Sequence, residues 1–138
     1  MLRGLLALGA LVLASAIAWA HGGSGHLAGE VTAAERGAFM DARPVFERHC
    51  FRCHTKDGKR AKAKARAHLD MTSYPFGGHH AAEAGDAVRN ALGAGPKKER
   101  ATMPSDDPGG VTDADLKVLL AWADAFMLAH PSLAKHGH

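Results

Sequence analysis

The sequence predicts an all-α fold in one small domain, and three observations carry that prediction. Apolar residues recur at helical spacing near the C-terminus, as Leu116, Leu119, Leu120, Ala123 and Met127. Helix start and stop signals punctuate the chain: Thr32 with Glu35, Pro44, Gly93, Thr112 with Asp113, and Pro131. No stretch shows the alternating β-branched and aromatic pattern of a strand. A chain of 138 residues is enough for one domain.

Residues 1–20 read as a secretory signal. Met1-Leu2-Arg3 is a short basic start, Leu5 to Ile17 an apolar centre, and Ala18-Trp19-Ala20 a small-x-small cleavage site. The alternative is an uncleaved membrane anchor, for which the apolar run is near the lower length limit. Residues 21–39 form a Gly- and His-rich lead-in, with a short helix starting at the Thr32/Glu35 capping box. A freed His21 amine and imidazole is a potential copper chelate, but nothing nearby completes the ligand set. His26, His136 and His138 read either as metal ligands or as solubilising polar residues at the chain ends.

Pro44 is placed at the first turn of a separate helix that runs to residue 50, with Val45 and Phe46 as its apolar surface. The Lys/Ala run over 56–67 is a solvated loop or a marginal helix, because its only apolar face is alanine. Residues 69–78 read as a turn-rich loop carrying Tyr74 and Phe76, two aromatics able to wall a cofactor. A helix follows from about His79 to Leu92, with Ala81, Ala84, Val88 and Leu92 on one stripe and Gly93 ending it. Residues 94–111 are a long loop. Thr112 caps the last helix, Asp113 and Asp115 suit its positive end, and Trp122 and Phe126 flank its stripe. A frayed tail occupies 131–138.

The chemistry lies in Cys50-Phe51-Arg52-Cys53-His54. Cys-x-x-Cys-His is a c-type haem attachment pattern. Two thiols on one helical turn reach the two vinyl groups on one porphyrin edge. The following histidine then offers a nitrogen to iron from the proximal side. The rivals are weaker. A thioredoxin-type pair needs a strand-helix-strand setting. A structural zinc site needs four ligands, and the chain has two cysteines, so histidines would have to complete it. Attachment of one covalent haem c consumes both thiols, which fits export and leaves no structural disulfide.

An electron carrier needs a sixth iron ligand. Met103, in Ala101-Thr102-Met103-Pro104, lies in a polar loop away from any apolar stripe, so packing does not account for it. The alternatives are Met71, His79 and His80, then His68; Met127 fits the last helix's stripe. The adjacent His79 and His80 also read as ordinary polar residues at a helix start.

Haem motif, late Met-Pro loop and Trp122-bearing final helix together resemble the small monohaem class I cytochromes c, over residues from about 40 to 128 of a domain placed at 40–130. The resemblance implies a small helical domain wrapped around one covalent haem. It implies Cys50 and Cys53 as thioether anchors, His54 as proximal and Met103 as distal ligand, and Phe46 packed on Trp122. Three positions depart from the family pattern. Ala42 stands where a glycine is common, and Thr55 replaces a common glycine. No Gly-Pro-x-Leu loop follows the motif to support His54.

The expected function is electron transfer in the periplasm, as a monomer, with no enzymatic chemistry of its own. Other readings are a haem sensor or haem enzyme with an open distal site, or a subunit of a larger oxidoreductase. Formal net charge is only +3, but Lys56, Lys59, Arg60, Lys62, Lys64 and Arg66 follow the motif as a basic run. That run suits an acidic redox partner. Nucleic acid is disfavoured, since no aromatic interleaves the charges. Membrane association is expected only with an uncleaved signal.

Overall fold

The computed structural model describes residues 30–97 and 99–131. The signal, the 21–29 segment and the tail histidines lie outside them. Five α-helices are present among the described residues: α1 Ala33–His49, α2 Phe51–His54, α3 Ala63–His68, α4 Ala84–Ala91 and α5 Asp113–Ala129, with a 3-10 turn at Ala81–Glu83 before α4. The expected all-α class holds. The closest approach to a sheet is an isolated antiparallel bridge between Asp70 and Gly77.

The first helix differs from expectation. α1 is continuous from Ala33, so it takes in residues 33–39 of the predicted lead-in and runs through Pro44. Thr32 does cap it, accepting from the Glu35 amide at 3.1 Å. The Glu35 side chain does not close the capping box; it turns inward and is fully buried. Pro44 removes one helical hydrogen bond, from the Met40 carbonyl. Met40 and Pro44 lie one turn apart on the exposed face, where water satisfies that carbonyl at little cost. The opposite face, Phe39, Ala42, Val45 and Phe46, is buried and holds the helix together.

α1 crosses α5 at its second half. The Phe46 ring meets Trp122 edge-on, with centroids 4.9 Å apart and planes at 88°. Ala42 is fully buried on the same face of α1 as Phe46. α5 buries Leu119, Trp122, Ala123 and Phe126. The buried face is thus rotated toward the two aromatics from the predicted stripe, and Leu120 and Met127 are half-buried at its edges. Arg48 and His49 at the end of α1 both reach Asp115 on α5, at 2.7 and 3.0 Å.

α4 packs on the other side of α5. A Cβ added at Gly85 would meet the Ala123 carbonyl at 2.9 Å, so only glycine allows this approach. Ala81, Ala84 and Val88 are buried as the predicted stripe requires, and Gly93 ends the helix with φ +73°.

Tyr74 and Phe76 join the core instead of standing apart from it. Phe76 meets Phe46 edge-on at 5.3 Å, and Tyr74 stacks on Phe39 at 3.8 Å. The 69–78 loop therefore completes an aromatic cluster begun by α1 and α5.

Candidate functional site

Cys50 is the N-cap of α2, and Cys53 and His54 lie on its single turn. Four residues cannot make a stable helix alone. This turn is held because every carbonyl from Cys50 to His54 finds a donor. Cys50 O accepts from the Cys53 and His54 amides at 3.1 Å each. Phe51 O accepts from the Thr55 amide at 3.2 Å and its hydroxyl at 2.8 Å. The chain then doubles back: Arg60 N donates to Arg52 O at 2.8 Å, Lys62 N to Cys53 O at 3.2 Å, and Met71 N to His54 O at 2.9 Å. Gly58 makes that return possible, since a Cβ there would lie 2.5 Å from the Phe51 and Arg52 carbonyl oxygens. Thr55, unlike a glycine, uses its side chain to close the turn.

His54 is oriented. Its Nδ1–H donates to the Leu69 carbonyl at 2.8 Å. A carbonyl can only accept, so Nδ1 carries the proton and Nε2 keeps a lone pair for a metal. Leu69 thus supplies what the missing Gly-Pro-x-Leu loop would have given. The sequence hid this contact because a backbone carbonyl leaves no residue-type signature.

Burial pushes the Cys50 thiol up to about 12, against the opposing pull of Arg52 and with a smaller push from Cys53. A thiol held protonated is a poor thioredoxin-type nucleophile. Both cysteines are half-buried and not disulfide-bonded. Half-buried thiols on one turn, with an oriented histidine next to them, form a donor set that fits haem c.

Met103 lies in the 94–111 loop, which is fastened at two points. The Thr102 and Met103 amides both donate to Ala91 O at the end of α4, at 2.9 and 3.0 Å. Asp106 then bridges to the haem motif. It accepts from Arg52 at 2.5 Å and Arg60 at 2.7 Å. Partial loss of water pushes the Asp106 carboxyl up. Its backbone hydrogen bond and the two guanidiniums outweigh this and hold it below the usual carboxylate range. One carboxylate therefore joins the Cys-x-x-Cys turn to the loop carrying Met103. The Met103 side chain is 38 % exposed.

The other candidate ligands are placed differently. Met71 is buried in the core. His79 and His80 are bonded through their amides to Ala67 O and His68 O, at 3.0 and 2.9 Å. Those carbonyls immediately precede Leu69, which stands behind His54. His68, His79 and His80 gather there, with their ligand nitrogens within 4.8 Å of one another. Three further residues escaped the sequence reading. Asp106 and His130 carry no motif or spacing signal, and Glu35 reads as the capping partner of Thr32.

A helical domain with an oriented Cys-x-x-Cys-His turn defines the class of covalent haem proteins. The family model described as Cytochrome c matches residues 39–124, and the chain belongs to that family. Membership implies a covalently bound haem c and haem-based electron transfer. No curated protein and no solved structure gives a significant match. No helix among the described residues is long and apolar enough to cross a membrane.

Proposed function

We propose that this chain is an exported one-electron carrier, periplasmic after removal of residues 1–20, that works as a monomer. The observation that carries the reading is the bond from His54 Nδ1 to the Leu69 carbonyl, which presents Nε2 as a proximal ligand. Cys50 and Cys53 anchor the ring as thioethers. Haem c supplies a reversible one-electron iron couple. Met103 is the distal ligand, a reading supported by the Asp106 clamp between its loop and the motif. A thioether favours ferrous iron and raises the potential. The chain's part is to hold both axial groups still while the charge changes.

Spectra of the haem-loaded protein beside Met103→Ala test this. The oxidised wild type is expected to be low-spin with the weak red-end band of a methionine–iron bond. The variant is expected to lose the band, lower its potential and bind carbon monoxide when reduced. A high-spin wild type that binds carbon monoxide readily would instead support a sensor or enzyme. A low-spin spectrum unchanged by the substitution would move the ligand elsewhere.

The partner is an acidic redox protein that docks on Lys56, Lys59, Lys62 and Lys64. These lysines are exposed, and none of them forms an ion pair among the described residues, whereas Arg60 is engaged by Asp106. The doubling-back bonds to Arg52 O and Cys53 O support the reading, because they keep the run beside the motif. A Lys56→Glu/Lys59→Glu/Lys62→Glu variant is expected to slow bimolecular electron transfer to an acidic partner about tenfold at low salt. The two proteins should converge at high salt. Equal rates at low salt would remove this surface as the docking site.

A further inference from the structure

We propose that His68, His79 and His80 form a second metal site, for a divalent transition ion of the zinc type, built from none of the Cys50, Cys53 and His54 side chains. The three imidazoles each offer a ligand nitrogen, and these nitrogens lie within 4.8 Å of one another. The rings pack at centroid distances of 4.5, 5.6 and 4.3 Å. The backbone brings them together. His68 ends α3, and the 77–80 segment is pressed against that end. Gly78, at φ +89°, makes the approach; a Cβ there would meet His68 O at 2.8 Å and Arg66 O at 2.9 Å. The amide bonds from His79 to Ala67 O and from His80 to His68 O then lock the two strands of chain together.

A fourth residue strengthens the case. The His80 Nδ1–H donates to Glu83 Oε1 at 2.5 Å. A carboxylate behind a histidine fixes its tautomer and raises its basicity, the arrangement that supports metal-binding imidazoles. It leaves Nε2 of His80 with its lone pair. Zinc–nitrogen bonds of about 2.0–2.1 Å bring tetrahedral ligands to roughly 3.4 Å from each other. His68 and His79 are exposed and free to rotate through the remaining gap. Three imidazoles leave one position for water or an outside ligand.

Packing gives no other account of the cluster. None of the three rings is in the hydrophobic core. Lys64 and Arg66 share α3 and oppose a cation; Glu83 offsets part of that charge.

Calorimetric titration of the haem-loaded, full chain with Zn²⁺ tests the site, with bound zinc counted by elemental analysis after dialysis. One equivalent should bind without change in the haem spectrum. His68→Gln/His79→Gln should weaken it at least tenfold, and Glu83→Gln about tenfold. These side chains are exposed or half-buried, so the fold should survive, which the unchanged spectrum would verify. His136→Gln/His138→Gln serves as the control and should bind like the parent. Retention of the full affinity in the His68/His79 variant, or its loss only in the tail control, overturns the proposal.

Discussion

Glu35→Ala is expected to destabilise the protein by about 3–5 kcal/mol, the cost of breaking a buried pair of ionisable groups. The Glu35 side chain is fully buried, and both its oxygens are in use. Oε1 accepts from the Tyr74 hydroxyl at 2.5 Å, and Oε2 accepts from the His130 Nε2–H at 3.0 Å. Trp122 Nε1 donates in turn to the Tyr74 oxygen at 3.2 Å. The carboxylate therefore joins the start of α1, the 69–78 loop and the end of α5. Alanine leaves the buried His130 N–H and the half-buried Tyr74 hydroxyl without their acceptor, at about 1–3 kcal/mol for a buried donor, and adds a cavity. For a domain of this size the midpoint should fall by roughly 15 °C or more. Thermal unfolding by circular dichroism checks it. Glu35→Gln, which keeps one acceptor, should cost clearly less; a loss below 1 kcal/mol in the alanine variant would mean that water replaces the network.

The same network predicts an alkaline signature. Burial, and then the bond to Glu35, push the Tyr74 phenol well above its ordinary value. A raised folded pKa means that the folded state holds its proton more tightly. The stabilisation is complete below about pH 10, where the unfolded phenol titrates, and is lost as pH rises through the folded value. Tyr74 is the only tyrosine, so phenolate absorbance reports it without overlap. In Glu35→Ala the titration should shift down toward the ordinary value.

Much of the fold was legible because its signals are local. α4 and α5 were marked by spacing and by Gly93 and Pro131, and the haem motif by its own five residues. Phe46 against Trp122 came from the resemblance and is present in the structure. What was hidden is non-local. Glu35 has the ordinary look of a capping residue, and its inward turn depends on Tyr74 and His130, which are 39 and 95 positions away. Pro44 signals a helix start by propensity, yet the buried face on either side of it overrides one lost hydrogen bond. The Leu69 carbonyl and the Asp106 bridge are properties of where loops return. Loop return depends on features such as Gly58 and Gly78, whose purpose shows only when the backbone they approach is known. The three histidines illustrate both cases: His79 and His80 are adjacent in sequence, whereas His68 joins them only through the turn at Gly78.

Trp122→Ala is expected to cost about 3–5 kcal/mol, the range for emptying a large aromatic site in a core. The residue is fully buried and meets Phe46 edge-on, Phe76 at 5.5 Å and Phe126 at 5.7 Å between centroids. The edge-to-face contact with Phe46 and the two tilted ring contacts add to the area buried, and alanine forfeits them all. The loss also reaches Tyr74, whose hydroxyl oxygen would no longer receive the indole N–H. Trp122→Phe separates the contributions. It keeps a ring at the crossing and removes only the hydrogen bond and part of the volume, so its cost should be less than half that of alanine. The effect should extend to the haem turn, because Phe46 is the residue through which Trp122 braces it. The Cys50 amide donates to Phe46 O at 2.8 Å, and the Phe51 ring stacks on Phe46 with planes 7° apart. A Phe46 ring that has lost its partner no longer fixes the start of α2. Denaturant unfolding followed by haem absorbance should therefore show the midpoint of the haem signal falling ahead of helix loss in Trp122→Ala, while the two coincide in the parent. Coincident transitions in the variant would mean that the crossing stabilises the whole domain without specifically holding the haem turn.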